Sequence, residues 1–265
     1  MSMSAPGAAI PVNRYSRAVW RRNALVWRRL IGPSLATNVL DPLIFLFAFG
    51  YGLGAVVDRV GGLNYLSFVV PGMMCYAAMF AASFESTVST YARFHMQRTW
   101  DAILATPVTL TELMLGEMSW AATKGLFSSC CVIAVGSVWG GIGNPWGVAL
   151  ALPVLAVGAL CFASCGLVVT AHAKSWDIFA YFFTFWVTPM FMFSGTFFEV
   201  ARFPWFIQAI AWILPMTHLI AVVRPLTAGL ALDPLASVGH VSYLAALAVA
   251  AFCFARHKFG ARLFG

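Results

Sequence analysis

Apolar residues occur along this chain in long, almost uninterrupted runs. A helix needs about 20 consecutive apolar residues to cross the roughly 30 Å hydrocarbon core of a bilayer. Six runs reach that length, so the pattern predicts an all-α membrane protein with six transmembrane helices. The predicted spans cover residues 33–57, 66–91, 113–139, 146–171, 178–198 and 235–255.

A shorter apolar segment, residues 203–214, separates the fifth run from the sixth. Pro204 and Pro215 bound it, and it is too short to span a bilayer. Backbone that turns back at membrane depth is tolerated where it is buried in protein. The pattern therefore predicts a re-entrant or interfacial hairpin on the outer side, before the last span.

A basic segment precedes the first run. At about 100° per residue its six arginines fall within an arc of about 140°, opposite a set of apolar residues. Such a helix lies in the membrane interface, with arginine facing water, anionic lipid or an acidic partner. We predict an interfacial helix over residues 13–32, after a flexible N-terminus of residues 1–12. The residues expected to define it are Arg14, Arg17, Trp20, Arg21, Arg22, Trp27, Arg28 and Arg29.

Charged residues make up 9% of the chain and hydrophobic residues 61%, against roughly 25% charged residues in soluble domains. This composition excludes a water-soluble globule. Six spans place both termini on one side; if that side is the cytoplasm, twelve bases fall in cytoplasmic segments and three outside. The bias predicts cytoplasmic termini, a six-span domain over residues 33–256 and a basic tail over residues 257–265. A basic N-terminus also suits nucleic acid, but the apolar run after it favours membrane lipid as the partner.

The connection after the second predicted span, residues 93–111, contains a short helical pattern. Trp100, Ile103 and Leu104 share one face at i, i+3, i+4 spacing, and Thr99 is a candidate cap. The pattern predicts a short cytoplasmic helix whose exposed apolar face docks on a partner. The alternative is that this face rests on the protein's own spans.

Three ionisable residues lie inside predicted spans, where each costs roughly 2.5–3.5 kcal/mol on insertion scales. Glu117 and Lys124 are two turns apart on one face of the third span, and Glu85 lies in the second. They form either a proton path, as in a proton-coupled carrier, or a polar cluster that locks helices together. We favour the cluster, because such a carrier would usually show more acids deep in its spans.

The fifth run is dense in aromatic residues. Aromatic rings pack well against acyl chains and against the apolar faces of sugars, so some of them are candidates to line a substrate path. Residue by residue, packing against lipid or a second subunit is the favoured interpretation, and only some of these rings could line a path. The candidates for a substrate path or outer gate are Phe182, Trp186, Phe193, Phe197 and Glu199.

Common catalytic and nucleotide-binding motifs do not occur. No G-x-x-x-x-G-K-[ST] loop is found, since the nearest Lys-Ser pair, Lys174-Ser175, follows Ala173. H-E-x-x-H and G-x-S-x-G are missing as well. Cys161 and Cys165 lie one turn apart, but no further ligands accompany them at metal spacing. We therefore expect no enzyme activity, cofactor or metal in this chain, and a separate source of energy.

Several distinctive sequence blocks are spread over about residues 15–260. They include Val19-Trp20-Arg21-Arg22-Asn23, Gln97-Arg98-Thr99-Trp100, Leu115-Gly116-Glu117-Met118 and Phe193-Ser194-Gly195. These blocks, and the order of the predicted elements, resemble the permease subunits of type-2 ABC exporters. More specifically, the chain is similar to the permeases that export nodulation factors, which are lipo-chitooligosaccharides.

The resemblance implies an ATP-driven exporter in the bacterial inner membrane that moves an amphiphilic lipo-oligosaccharide from the cytoplasmic side outward. Two permease chains would form a homodimer and bind two copies of a NodI-like ATPase, which would hold ATP and Mg. The N-terminal helix would be the interface helix, and the short helix would be the coupling helix. Export of a polysaccharide or hydrophobic drug is the alternative. The residues implied in ATPase coupling are Arg98, Thr99, Trp100, Asp101, Ile103 and Leu104.

Overall fold

The protein is described by a computed structural model that covers residues 14–29, 32, 40–57 and 59–264. The predicted flexible N-terminus, residues 1–12, lies outside these ranges. Apart from a two-stranded hairpin and the turns that connect the helices, the described part is helical, which confirms the all-α membrane class. The helices are α1 (Arg14–Arg29), α2 (Asp41–Phe47), α3 (Tyr65–Met96), α4 (Thr99–Leu104), α5 (Leu110–Val138), α6 (Pro145–His172), α7 (Asp177–Phe193), α8 (Trp205–Ala211), α9 (Pro215–Ala228) and α10 (Pro234–Phe264).

Four helices in the described part are long and apolar enough to cross a membrane: α3, α5, α6 and α10. They correspond to the second, third, fourth and sixth predicted spans. The fifth predicted span is the shorter helix α7. The first, residues 33–57, lies partly outside the described residues; its described portion is α2, which continues as a π-helix over Ala48–Leu53.

A small antiparallel hairpin links the first predicted span to α3. Its strands are β1 (Arg59–Val60) and β2 (Leu63–Asn64), with Val60 paired to Leu63. The two turn residues, Gly61 and Gly62, have φ of 59° and 78°, a conformation that tight hairpin turns require and that glycine adopts without steric cost. Asn64 then accepts the Leu66 backbone N–H and caps α3.

The central helix of the bundle is α3, since 83% of its most apolar stretch of 18 residues is buried inside the protein. It packs on α5, α6 and α9. Small residues permit this close packing: a Cβ on Gly125 of α5 would lie 2.8 Å from the Ala78 carbonyl oxygen of α3. Ser129 Oγ, one turn further along α5, donates to the Met74 carbonyl at 2.7 Å.

The sequence T-x-x-E predicts a capping box at the start of α5, and the structure confirms it. Thr109 Oγ1 accepts the Glu112 backbone N–H at 3.3 Å, and the Glu112 carboxylate accepts the Thr109 backbone N–H at 2.9 Å. This reciprocal pair satisfies two backbone donors that a helix N-terminus leaves without partners.

The predicted hairpin before the last span is larger than its apolar core suggested. Its first half is α8, and α9 follows at an angle of 85° to it. The second half, α9, is buried against α3 and α6. Arg224 of α9, counted from the sequence as an outer loop base, therefore lies in the bundle. Its Nη2 donates to the Gly195 carbonyl at 2.6 Å, and its guanidinium lies 3.7 Å from the Phe68 ring centroid.

Candidate functional site

The short helix α4 follows a sharp turn at the end of α3. Arg98 forms this turn with a φ of 51°, a left-handed conformation that is uncommon for residues other than glycine. Its Nε pairs with Asp101 Oδ2 at 2.6 Å. Thr99, the candidate cap, is instead the first residue of the helix, and the residue at the cap position is Arg98.

The predicted apolar face of α4 points into the protein. Trp100 is fully buried, with ring centroids at 5.3 Å from Phe94 and 4.8 Å from Phe259. Ile103 and Leu104 are partly buried and pack on the same cluster. The expectation of an exposed Trp-Ile-Leu docking face is therefore wrong for Trp100, and the alternative, that the face rests on the protein's own spans, is the one found.

The exposed surface of α4 is on the opposite side. Asp101 and Ala102 are exposed on the helix, and Arg98 and Met96 are exposed beside it. A partner that approaches this end of the bundle meets these side chains and not Trp100. Of the residues implied in coupling, Arg98 and Asp101 are thus available at the surface, and Thr99 is half-buried.

Helix α1 packs directly on α5. A Cβ on Gly116 of α5 would lie 2.6 Å from Val19 Cβ, so the glycine allows the two helices to approach closely. Trp20 Nε1 donates to Thr123 Oγ1 at 3.0 Å, and the Trp27 ring packs edge-on against Phe127. The arginines expected on one side of this helix are exposed at Arg17, Arg21, Arg28 and Arg29 and half-buried at Arg22; the side chain of Arg14 lies outside the described residues.

The predicted intramembrane polar residues come together in one buried cluster. Glu85 Oε2 accepts from Lys124 Nζ at 2.8 Å, and its other oxygen accepts from Trp120 Nε1 at 3.0 Å. Glu117 accepts from Asn23 Nδ2 of α1 at 3.2 Å. The cluster therefore joins α1, α3 and α5.

Arg93 connects the two carboxylates of this cluster. Its Nη1 donates to Glu85 at 2.7 Å, and its Nη2 donates to Glu117 at 2.6 Å. Two acids are thereby balanced by two bases, Arg93 and Lys124, as charges buried away from water require. This closed set of pairs has the geometry expected of a helix lock, the interpretation that the sequence favoured over a proton path.

Sequence reasoning missed Arg93 because it placed that residue in a loop. The apolar run ends near residue 91, but α3 continues to Met96. A signal was present, since Glu85 and Arg93 are eight residues apart, about two helical turns, which places them on one face of a helix. Asn23 was missed because its amide lies on the buried face of α1, and the sequence pattern predicts only apolar residues on that face.

An apolar groove of about 520 Å³ runs along the outside of α3, between α2 and α7. On α3 it extends from Tyr76 to Val88, about 18 Å at 1.5 Å per residue. Its volume lies within the roughly 300–1,000 Å³ of ligand pockets. It is lined by Phe45, Tyr76, Phe80, Phe84, Val88, Trp176, Phe179, Ala180, Phe183, Val187, Thr188, Phe191 and Met192.

None of the five candidates for a substrate path or outer gate is among the described residues that line this groove. Phe197 is buried, with its ring 4.1 Å from that of Phe49, and Glu199 accepts from Arg202 at 2.8 Å. Trp186 and Phe193 are partly exposed at 42% and 39%, and Phe182 is half-buried. The aromatic run that gave these candidates is helix α7, and other residues of α7 line the groove.

Comparison with known proteins assigns the family. Residues 14–226 match the family described as ABC-2 type transporter. The chain belongs to the ABC-2 type transporter family. It is a multi-pass membrane protein and the membrane subunit of a transporter, and membership of an ABC family implies an ATPase partner.

Related ABC-2 chains include several nodulation proteins. Nodulation protein J of Rhizobium meliloti (strain 1021) is 43% identical over 249 residues, which cover 92% of this chain and 93% of the relative. Nodulation protein J of Rhizobium leguminosarum bv. viciae is 43% identical over 223 residues, 83% of this chain and 84% of the relative. The inner membrane transport permease YadH of Escherichia coli (strain K12) is 24% identical over 208 residues, which cover 78% of this chain and 80% of the relative.

The ABC-2 match covers the polar cluster, the groove and α4, but it ends before α10. Helix α10 nevertheless supplies Phe259, which covers Trp100.

Proposed function

We propose that this chain is the permease subunit of an ATP-driven exporter that moves an amphiphilic lipo-oligosaccharide of the nodulation-factor type from the cytoplasmic side outward. The observation that carries the proposal is the 43% identity to Nodulation protein J over 92% of the chain. The apolar groove beside α3 supports an amphiphilic substrate, because an acyl chain needs an apolar surface within the membrane. Export of a polysaccharide or a hydrophobic drug is the alternative within the same architecture.

Energy would come from two copies of a NodI-like ATPase, which would bind ATP and Mg, acting on a homodimer of permease chains. Helix α4 would be the coupling helix, and α1 would be the interface helix beside it. The exposed side chains at α4 support Arg98 and Asp101 as the contacting residues, with Thr99 at the edge. Trp100, Ile103 and Leu104 would anchor the helix from behind.

The proposed topology has six spans and cytoplasmic termini in the bacterial inner membrane. The bases support this orientation after the structure is taken into account. Arg93 and Arg224 are bundle residues and leave the count, so the twelve and three bases of the predicted cytoplasmic and outer segments become eleven and two. This bias favours cytoplasmic termini as before. The α8–α9 unit would then be the re-entrant outer hairpin.

The test is transport by the purified complex in proteoliposomes. We expect export of a fluorescent lipo-chitooligosaccharide that requires both the ATPase and ATP. The matched control is the same complex carrying an ATPase inactivated at its P-loop lysine. Transport of a polysaccharide or a drug, but not of the lipo-chitooligosaccharide, would establish the alternative substrate. Transport that persists without the ATPase and collapses with the proton gradient would overturn the proposal in favour of a proton-coupled carrier.

A further inference from the structure

Helix α10 continues well beyond its apolar run. The predicted span ends at residue 255, yet the helix extends to Phe264 through a segment that contains four basic residues, counting His257. Buried residues continue from the apolar run into this segment on one face of α10: Phe252, Ala255 and Phe259 lie at i, i+3, i+7 spacing. That spacing places them on a single stripe of the helix. The end of α10 is therefore a packed element and not a free basic tail.

The stripe meets α4 at Trp100. The Phe259 ring is fully buried, 4.8 Å from the Trp100 ring and 5.4 Å from Phe94. Trp100 is one of the largest fully buried side chains in the described part of the protein. Phe259 and Phe94 are thus two walls of the site that holds it.

Arg262 fixes the same segment to α6. Its Nη1 donates to the Ala173 carbonyl at 2.8 Å, and the Ala171 carbonyl lies at 3.4 Å. These carbonyls belong to the last turn of α6 and the residue after it, where a helix leaves its acceptors without partners and favours a positive charge. The Arg262 guanidinium also lies 5.1 Å from the Phe94 ring centroid.

Helix α4 depends on such external support. It has six residues, and helices far shorter than about 12–15 residues are held by tertiary packing and not by their own propensity. The apolar contacts of Trp100, Ile103 and Leu104 supply that packing, and all three belong to the cluster that contains Phe259. A substitution at residue 259 should therefore alter the position of the exposed face of α4, although residue 259 is not part of that face.

We propose that the C-terminal end of α10, residues 256–263, is a positioning element for α4. Phe259 seats Trp100, Arg262 anchors the segment to α6, and together they hold Asp101 and Ala102 in the orientation that the ATPase meets. Phe259 is accordingly a positioning residue for ATPase docking. This inference rests on the proposed function of α4 as the coupling helix.

The test uses Ala102→Cys as a reporter on the exposed face of α4. In the full complex we expect the bound ATPase to protect this cysteine from a water-soluble maleimide. Phe259→Ala should weaken ATPase binding at least about tenfold, the size expected when a buried aromatic anchor is truncated, and should remove the protection. The matched control is Phe264→Ala on the same helix end, because Phe264 is 73% exposed; it should leave protection and affinity unchanged.

A swap of ring sizes separates positioning from general damage to the fold. Trp100→Phe and Phe259→Trp should each weaken docking, and the double variant should recover most of the loss, because the pair then conserves its summed volume. This comparison also decides the matter if Phe259→Ala yields no folded chain. Absence of recovery would overturn the proposed contact.

The outcomes distinguish the two proposals. If the ATPase fails to protect the cysteine introduced at position 102 in the otherwise native chain, the role of α4 as coupling helix is wrong. If it protects equally well in the native and Phe259→Ala backgrounds, the positioning role of α10 is wrong, and the proposed function stands.

Discussion

Arg93→Met removes the cation that both buried carboxylates share. Without Arg93, Glu117 retains the Asn23 amide as its hydrogen-bond donor among the described residues. The Glu117 carboxylate is completely buried. Glu85 keeps Lys124 and the Trp120 indole. Breaking a buried ion pair at one partner costs about 3–5 kcal/mol, because the other charge is left uncompensated. We expect Arg93→Met to lower the free energy of unfolding by that amount.

Two further variants provide losses of unfolding free energy with which the Arg93→Met loss can be compared. Lys124→Met leaves Glu85 with Arg93 and Trp120, so we expect a smaller loss of about 1–3 kcal/mol. The double variant Arg93→Met/Glu117→Gln removes the orphaned charge, while the amide introduced at position 117 can still bond to Asn23. Replacing both partners of a buried pair is often nearly neutral, so the double variant should recover more than half of the Arg93→Met loss. Arg21→Met, at an exposed arginine of α1, is the matched control and should stay within about 0.5 kcal/mol of the native chain.

The assay is denaturant unfolding of the purified chain in detergent, followed by tryptophan fluorescence; Glu117→Gln measured alone completes a double-mutant cycle. Two results would refute the reasoning. One is an Arg93→Met variant as stable as Arg21→Met. The other is a double variant no more stable than Arg93→Met alone, which would show that an uncompensated carboxylate is not the cause of the loss.

Three other predictions follow from local geometry. Thr109→Ala should cost about 1 kcal/mol in the same unfolding assay, since it removes the capping box of α5. Gly116→Leu should detach α1 from α5 and expose it to protease, whereas Gly239→Leu, at a glycine with open space around its Cβ position, should leave the digestion pattern native. Phe183→Ala should alter transport of long-chain more than short-chain lipo-chitooligosaccharides, because its ring lines the groove; Phe185→Ala, 73% exposed outside it, should have no such effect.

The long helices could be predicted because their signal is local. An apolar run of sufficient length identifies α3, α5, α6 and α10 with no knowledge of their neighbours. Helix α9 escaped prediction for the opposite reason, since Arg224 and Pro225 interrupt its apolar run. Its burial is stabilised by the bonds of Arg224 to the carbonyls of Phe68 and Gly195, which belong to other elements.

The candidate site shows the same division between local and distant information. Spacing alone placed Trp100, Ile103 and Leu104 on one apolar face. It did not reveal what covers that face, because Phe259 lies at the far end of the chain. The polar cluster was predicted in part, since Glu117 and Lys124 share a helix. Arg93 could not be assigned to it, because the sequence pattern does not show that α3 extends beyond its apolar run.

The polar cluster has a consequence for how the chain is made. All of its members lie within the first 124 residues, on α1, α3 and α5. A nascent chain that has emerged through α5 can therefore neutralise both carboxylates before any later helix is synthesised. We expect α3 and α5 to leave the translocon as a pair, since together they carry no uncompensated charge into the lipid. Helix α10 is synthesised after all of these helices, so the contact of Phe259 with Trp100 of α4 forms later than the polar cluster.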